Sequence, residues 1–190
     1  MESFDLNIEP TGGFGRSIKS SGISAKKRET VAGRVSPNTI RDLEYEIFSR
    51  QFILQNFDEK NIHKLHNAKI TIVGLGGIGC PLSQYLVSSG LKHLTLFDGD
   101  RIEKTNLARQ ILYSLDDIGN YKSICAKNRL LKTNPYCKIT TYSENLTETN
   151  INVLLDADII IDTSDDWQLS KLINKFCVKN SLQYIFSSAI

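Results

Sequence analysis

Lys69-Ile70-Thr71-Ile72-Val73-Gly74-Leu75-Gly76-Gly77-Ile78-Gly79 is the stretch on which the fold turns. Ile70, Thr71, Ile72 and Val73 are β-branched and form a short run bounded by glycine, the pattern of a buried strand. From Gly79 to Ser89 the residues read as a helix, stopped by Gly90. Glycines between a strand and a helix permit a tight turn and let backbone N–H groups approach phosphate oxygens, while the helix N-terminus adds partial positive charge. His93 to Phe97 reads as the second strand. It ends on Asp98, about 20 residues beyond the loop, where a carboxylate can accept hydrogen bonds from ribose hydroxyls. Gly74, Gly76, Gly77, Gly79 and Asp98 are therefore candidates for binding a nucleotide. An NAD-dependent dehydrogenase uses the same fingerprint, so the loop alone does not name the nucleotide.

Outward from the loop, a helix is expected from about Asn120 to Leu131 and a strand over Lys138 to Tyr142. A helix over Thr147 to Leu155 and a strand over Asp158 to Asp162 follow, then a helix over Trp167 to Asn180 and a strand over Gln183 to Phe186. Upstream, Leu43, Ile47, Phe48, Phe52, Ile53 and Leu54 recur at helical spacing from Arg41 to Phe57, with Asn38 or Thr39 available as a cap, before a short polar connection. Alternating strands and helices imply a parallel sheet with helices on both faces, a Rossmann-like α/β fold. Residues 1–38 are rich in Gly, Ser and Lys and are expected to form a flexible extension, leaving 39–190 as one domain. The sequence stops straight after a strand, at Ile190, so a domain incomplete at its C-terminal end is expected.

The chain has 190 residues, 41% hydrophobic and 23% charged, which suits one soluble core. Its 23 Lys+Arg against 21 Asp+Glu leave a charge of +2, no broad electrostatic reason to expect nucleic acid or acidic membranes as partners. No apolar run approaches the roughly 20 residues of a spanning helix, and Met1-Glu2-Ser3-Phe4-Asp5 does not open a secretory signal. Cys80, Cys125, Cys137 and Cys177 form no C-x-x-C pair and read as single thiols of a reducing cytoplasm.

From Asp98 the chain runs Asp-Gly-Asp-Arg-Ile-Glu-Lys-Thr-Asn-Leu-Ala-Arg-Gln, ending at Gln110. Further on come Asp117-Ile118-Gly119-Asn120-Tyr121-Lys122, Asn134-Pro135 and Asp162-Thr163-Ser164-Asp165, and upstream lies Ser49-Arg50-Gln51. This ordered set, over roughly residues 40 to 190, resembles the ThiF/MoeB/HesA family, relatives of ubiquitin-activating enzymes. The matching positions include Asp98, Asp100, Ile102, Thr105, Asn106, Leu107, Arg109 and Gln110.

The resemblance implies an ATP-dependent adenylyltransferase that uses Mg²⁺ to join AMP to the C-terminal carboxylate of a ubiquitin-like sulfur-carrier protein, releasing pyrophosphate. It makes 39–190 the ATP-binding adenylation domain. A carboxylate is a poor nucleophile that the triphosphate repels, so such a site must neutralise charge and align the reactants. Arg109 can offer a planar fork to phosphate oxygens and Lys122 a compact cation. Asn106 and Gln110 can hydrogen-bond nucleotide oxygens, Asp100 belongs to the same binding set, and Asp165 supplies a hard oxygen to the metal. Arg50 would act in trans, as an arginine finger on the ATP of the second subunit of a homodimer. Each position also has a plainer reading: surface charge for Arg109 and Lys122, loop stabilisation for Asp100, a helix cap for Asp165, and an intrachain ion pair for Arg50.

Asp166 stands where the family frequently has Asn, and Ser170 near where it often has Arg. Neither paired C-x-x-C ligands nor an evident acceptor cysteine occurs, so the 190 residues need not be competent alone. Activation of a ribosomal peptide, as in microcin maturation, a tRNA-modifying dehydration, and a non-catalytic scaffold paired with an active homologue are the alternatives.

Overall fold

The computed structural model describes residues 46–54 and 59–188; the extension expected at 1–38 lies outside them. Five strands, β1 (Lys69–Val73), β2 (His93–Phe97), β3 (Lys138–Tyr142), β4 (Ile159–Asp162) and β5 (Gln183–Phe186), form one sheet in the order β3-β2-β1-β4-β5. Every neighbouring pair is parallel, and Val73 sits in register with Phe97 on one side and Asp162 on the other. Accompanying them are helices α1 (Glu59–Asn67), α2 (Gly79–Ser88), α3 (Lys122–Thr133) and α4 (Trp167–Asn180). The strand order reverses between β1 and β4. In an open parallel sheet this is where the loops at the carboxyl ends diverge and leave a crevice.

Alternating side chains of the strands feed two apolar layers. Ile70, Ile72, Leu94, Leu96 and Ile161 pack with Val87, Ala126 and Leu130 of α2 and α3. Val73, Phe97 and Ile160 pack with Leu154 and with Ile173 and Cys177 of α4. Both faces of the sheet are covered, as near-continuous apolar strands require.

Three expectations change. Residues 46–48 are helical, but the chain then turns at Ser49-Arg50 and makes a 3-10 turn over Gln51–Ile53, so the helix foreseen from Arg41 to Phe57 is not continuous. Residues 41–45 and 55–58 fall outside the described part. The Ser49 hydroxyl donates to the Glu46 carbonyl (2.9 Å), and Gln51 Nε2 donates to Ser89 O (3.1 Å), tying the turned segment to the end of α2. The supposed polar connection instead holds α1, a mostly polar helix that buries Ile62 and His66.

Thr147 to Leu155 is not an α-helix either; a 3-10 segment covers Ile151–Asp156. Asn150 explains this, because its Oδ1 accepts the Thr147 N–H (2.7 Å) and its Nδ2 donates to Asn145 O (3.0 Å), holding 145–150 in a turn. Among the described residues no helix is long and apolar enough to cross a membrane.

Candidate functional site

A cleft of about 880 Å³ opens at the carboxyl ends of the strands, at the switch point. Gly74, Gly76, Gly77, Asp98, Asp100, Asn106, Arg109, Gln110, Lys122 and Asp165 all line it, although the sequence scatters them over four loops. Gly79 and Arg50 do not. A Cβ on Gly79 would overlap the Gly74 carbonyl oxygen and lie 2.8 Å from Thr163 Oγ1, so this glycine serves close packing of α2 beneath the loop. Arg50 is exposed and forms no ion pair with a described residue.

The glycine loop is held peptide by peptide. Gly74 has φ +91°, and a Cβ there would come within 2.9 Å of Ser164 N, so both conformation and space demand glycine. Its carbonyl accepts from Thr163 Oγ1 (2.7 Å). The Leu75 N–H donates to Asp98 Oδ2 (2.7 Å), and the Leu75 carbonyl accepts from Tyr113 OH (3.0 Å) and Cys80 Sγ (3.2 Å). Asp98 Oδ1 takes the Asp100 N–H (2.8 Å). The carboxylate read as a ribose acceptor thus first braces two backbone turns. Burial raises its pKa above the usual aspartate range, although the Leu75 N–H, Lys122 and the Asp100 N–H pull the other way.

Across the cleft, buried Lys122 at the start of α3 places Nζ 2.7 Å from Oδ2 of largely exposed Asp100. Arg109 lays its aliphatic stem near Gly77 and donates from one guanidinium nitrogen to Thr105 O (3.1 Å). Asn106 Oδ1 accepts the Glu103 N–H (3.0 Å), closing a capping box around the 3-10 turn Lys104–Asn106. Gln110 is 3% exposed, and its Oε1 is a buried acceptor with no partner. A buried polar atom left unsatisfied is uncommon and costly in a finished site.

The start of the Asp117-to-Lys122 stretch braces the turn that leads into α3. Asp117 Oδ2 accepts from both the N–H and the hydroxyl of Ser114 (2.8 Å each), and Gly119 turns the chain at φ +84° before α3 presents Lys122. Burial works against ionising Asp117, but the Ser114 bonds, with Cys125 and Arg129, outweigh it and lower its pKa. A depressed carboxylate contributes stability that is present above the unfolded pKa and lost as pH falls through the folded one. Asp117→Ala is expected to cost about 1 kcal/mol at neutral pH, in urea unfolding followed by circular dichroism. The difference from the parent shrinks as pH drops below the ordinary aspartate range.

Asp165 is exposed, and its carboxylate makes no hydrogen bond or ion pair with a described residue. Asp166, not Asp165, caps α4: its Oδ1 accepts the N–H groups of Gln168 (2.8 Å) and Leu169 (3.2 Å). Asn would cap equally well, and the extra charge lies at a helix N-terminus that favours it. Beneath, fully buried Asp162 accepts from Ser164 N (2.9 Å) and Oγ (2.7 Å) and from Tyr184 OH (3.0 Å). The cleft wall carries six carboxylates (Asp98, Asp100, Glu103, Glu144, Asp165, Asp166) against three cations (Arg101, Arg109, Lys122). An anionic ligand there needs additional positive charge.

The ThiF family model matches residues 48–190. The chain belongs to the ThiF family. Adenylyltransferase and sulfurtransferase MOCS3 of Drosophila persimilis is 39% identical over 144 residues, 75% of this chain and 32% of its own length. E. coli MccB, solved with ATP and also with AMPCPP and MccA, is 38% identical, with a TM-score of 0.63 over 66% of this chain and 38% of MccB. E. coli tRNA N6-threonylcarbamoyladenosine dehydratase TcdA, solved with AMP, is 26% identical, with a TM-score of 0.73 over 77% of this chain and 60% of TcdA. This ThiF-family chain therefore spans about a third of the curated relative's length.

Motif reading missed part of the cleft. Glu144, Asn145 and Leu146 follow β3, and Ser188 follows β5; their position after strand carboxyl ends was the available signal. Tyr113 and Cys80, which hold the loop, lie in no motif, and Thr163 lies inside one without having been singled out. All four cysteines are free, and burial raises each thiol's pKa, that of Cys137 to about 11. Iodoacetamide at pH 7.5 is therefore expected to label the folded chain at least about tenfold more slowly than the urea-unfolded chain, by intact mass. Fast labelling of Cys177, which is buried in α4, would contradict its structural role.

Proposed function

We propose that the cleft binds ATP with Mg²⁺ and catalyses adenylation of the C-terminal carboxylate of a ubiquitin-like sulfur-carrier protein. One observation carries this reading: the glycine loop, Arg109, Lys122 and Asp165 line a single cleft. The ATP and AMP complexes of MccB and TcdA and the name of the MOCS3 relative support it.

In the proposed reaction a carboxylate oxygen attacks the α-phosphorus. The bond from that phosphorus to the oxygen bridging to the β-phosphate breaks, and pyrophosphate leaves with the electron pair. The N–H groups of Gly76 and Gly77 face phosphate oxygens, Arg109 offers its fork, and Lys122 moves from Asp100 to the nucleotide. Gln110 and Asn106 donate from their amide nitrogens, while Asp98 and Asp100 hold the loop and keep spare lone pairs for ribose hydroxyls. Magnesium, held by Asp165 and phosphate oxygens, would neutralise charge that the acid-rich wall cannot. Arg50, which lies outside the cleft, would act, as the family resemblance implies, on the ATP of the other subunit of a homodimer. Four free thiols, three of them buried, fit a cytoplasmic setting.

MccB, solved with MccA, favours a second reading in which the carboxylate belongs to a short peptide. ATP–pyrophosphate exchange separates the two, run with Gly-Gly-tailed carriers, with peptides bearing free C-termini, and with tRNA. Exchange driven by a carrier is the expected outcome; exchange driven only by peptide or tRNA reassigns the substrate. ATP binding with exchange in no arm makes the chain a scaffold.

A further inference from the structure

The Leu75–Gly76 peptide is gripped by two side chains outside every nucleotide motif. Tyr113 and Cys80 are buried, and both donate to the Leu75 carbonyl. No cis peptide occurs among the described residues, and in a trans peptide the C=O and the following N–H point in opposite directions. Pulling the Leu75 oxygen into the core therefore turns the Gly76 N–H outward, onto the cleft wall that Gly76 lines. The preceding peptide is fixed the same way, with Gly74 O on Thr163 Oγ1 and Leu75 N–H on Asp98. Neither the Gly76 nor the Gly77 N–H donates to a described residue, so both are available to a ligand.

We propose that Tyr113, assisted by Cys80, is a positioning residue that aims the Gly76 N–H at a phosphate oxygen of the bound nucleotide. The inference rests on the nucleotide reading above. Tyr113 does not touch the nucleotide; it acts through one peptide plane. Removing its hydroxyl leaves the Leu75 carbonyl with the weak thiol donor alone, and the plane is free to rotate.

The test compares ligands that differ only in phosphate. Isothermal titration of the purified full chain with adenosine, AMP and MgATP is performed for the parent, Tyr113→Phe, and Tyr113→Phe with Cys80→Ala. In the parent, AMP and MgATP bind more tightly than adenosine. Tyr113→Phe is expected to weaken AMP and MgATP by about fivefold, the size of one hydrogen bond, and to leave adenosine unchanged, with the double variant weaker still. Loss of packing would weaken all three ligands together. An unchanged ratio of adenosine to AMP affinity in the double variant overturns the proposal. Failure of the parent to bind any adenine nucleotide overturns the underlying reading instead.

Discussion

Lys122→Met is expected to lower ATP–pyrophosphate exchange by about a thousandfold, the scale on which a positioned donor acts in a water-poor site. The ammonium group is buried beside Asp100 at the mouth of the glycine loop. Among the three cations of the cleft wall, Arg101 is committed elsewhere: it donates to Gly119 O (2.7 Å) and stacks over Tyr121. In the proposed reading Arg109 and Lys122 meet the phosphates, each giving up the contact it makes with Thr105 O or Asp100. Methionine keeps the length and apolar stem of lysine, so the fold persists, and an unchanged melting temperature is the control. Exchange within a few-fold of the parent would mean that Lys122 serves only to hold Asp100.

Asp165→Asn is expected to reduce exchange by about a hundredfold or more and to raise the magnesium concentration needed for half-maximal rate. Its neighbour supplies the contrast. Asp166 commits Oδ1 to the first turn of α4, and asparagine caps a helix as well as aspartate does. Asp166→Asn should therefore leave both the rate and the magnesium requirement nearly unchanged. If the two variants exchange behaviours, the metal ligand has been assigned to the wrong carboxylate.

The sheet was legible because each of its strands is a short apolar or β-branched run closed by Gly, Asp or a polar turn; β1, β2, β3 and β5 begin and end where the pattern does. The errors fall where side chains overrule periodicity. Asn150 bonds to the backbone on both sides of itself and tightens an expected helix into a 3-10 turn. Helix α1 went unread because its sequence, Glu59 to Asn67, is mostly polar. Ten residues named from the ordered motifs line one cleft while Gly79 and Arg50 do not, and no motif reveals the contacts that shape it. Asp98 was read as an acceptor for a ligand, yet both its oxygens accept backbone N–H groups. Tyr113 and Thr163 lie 38 and 89 residues from the carbonyls they hold, and no local pattern reveals such a partnership.

A crystal structure of the full chain with AMPCPP and magnesium tests the central claim most directly. The account predicts phosphate oxygens within about 3 Å of the Gly76 and Gly77 N–H groups, Arg109 and Lys122 on the same phosphates, and the metal on the Asp165 carboxylate. A nucleotide seated away from this loop, with Lys122 still paired to Asp100 and Asp165 bare, would contradict it.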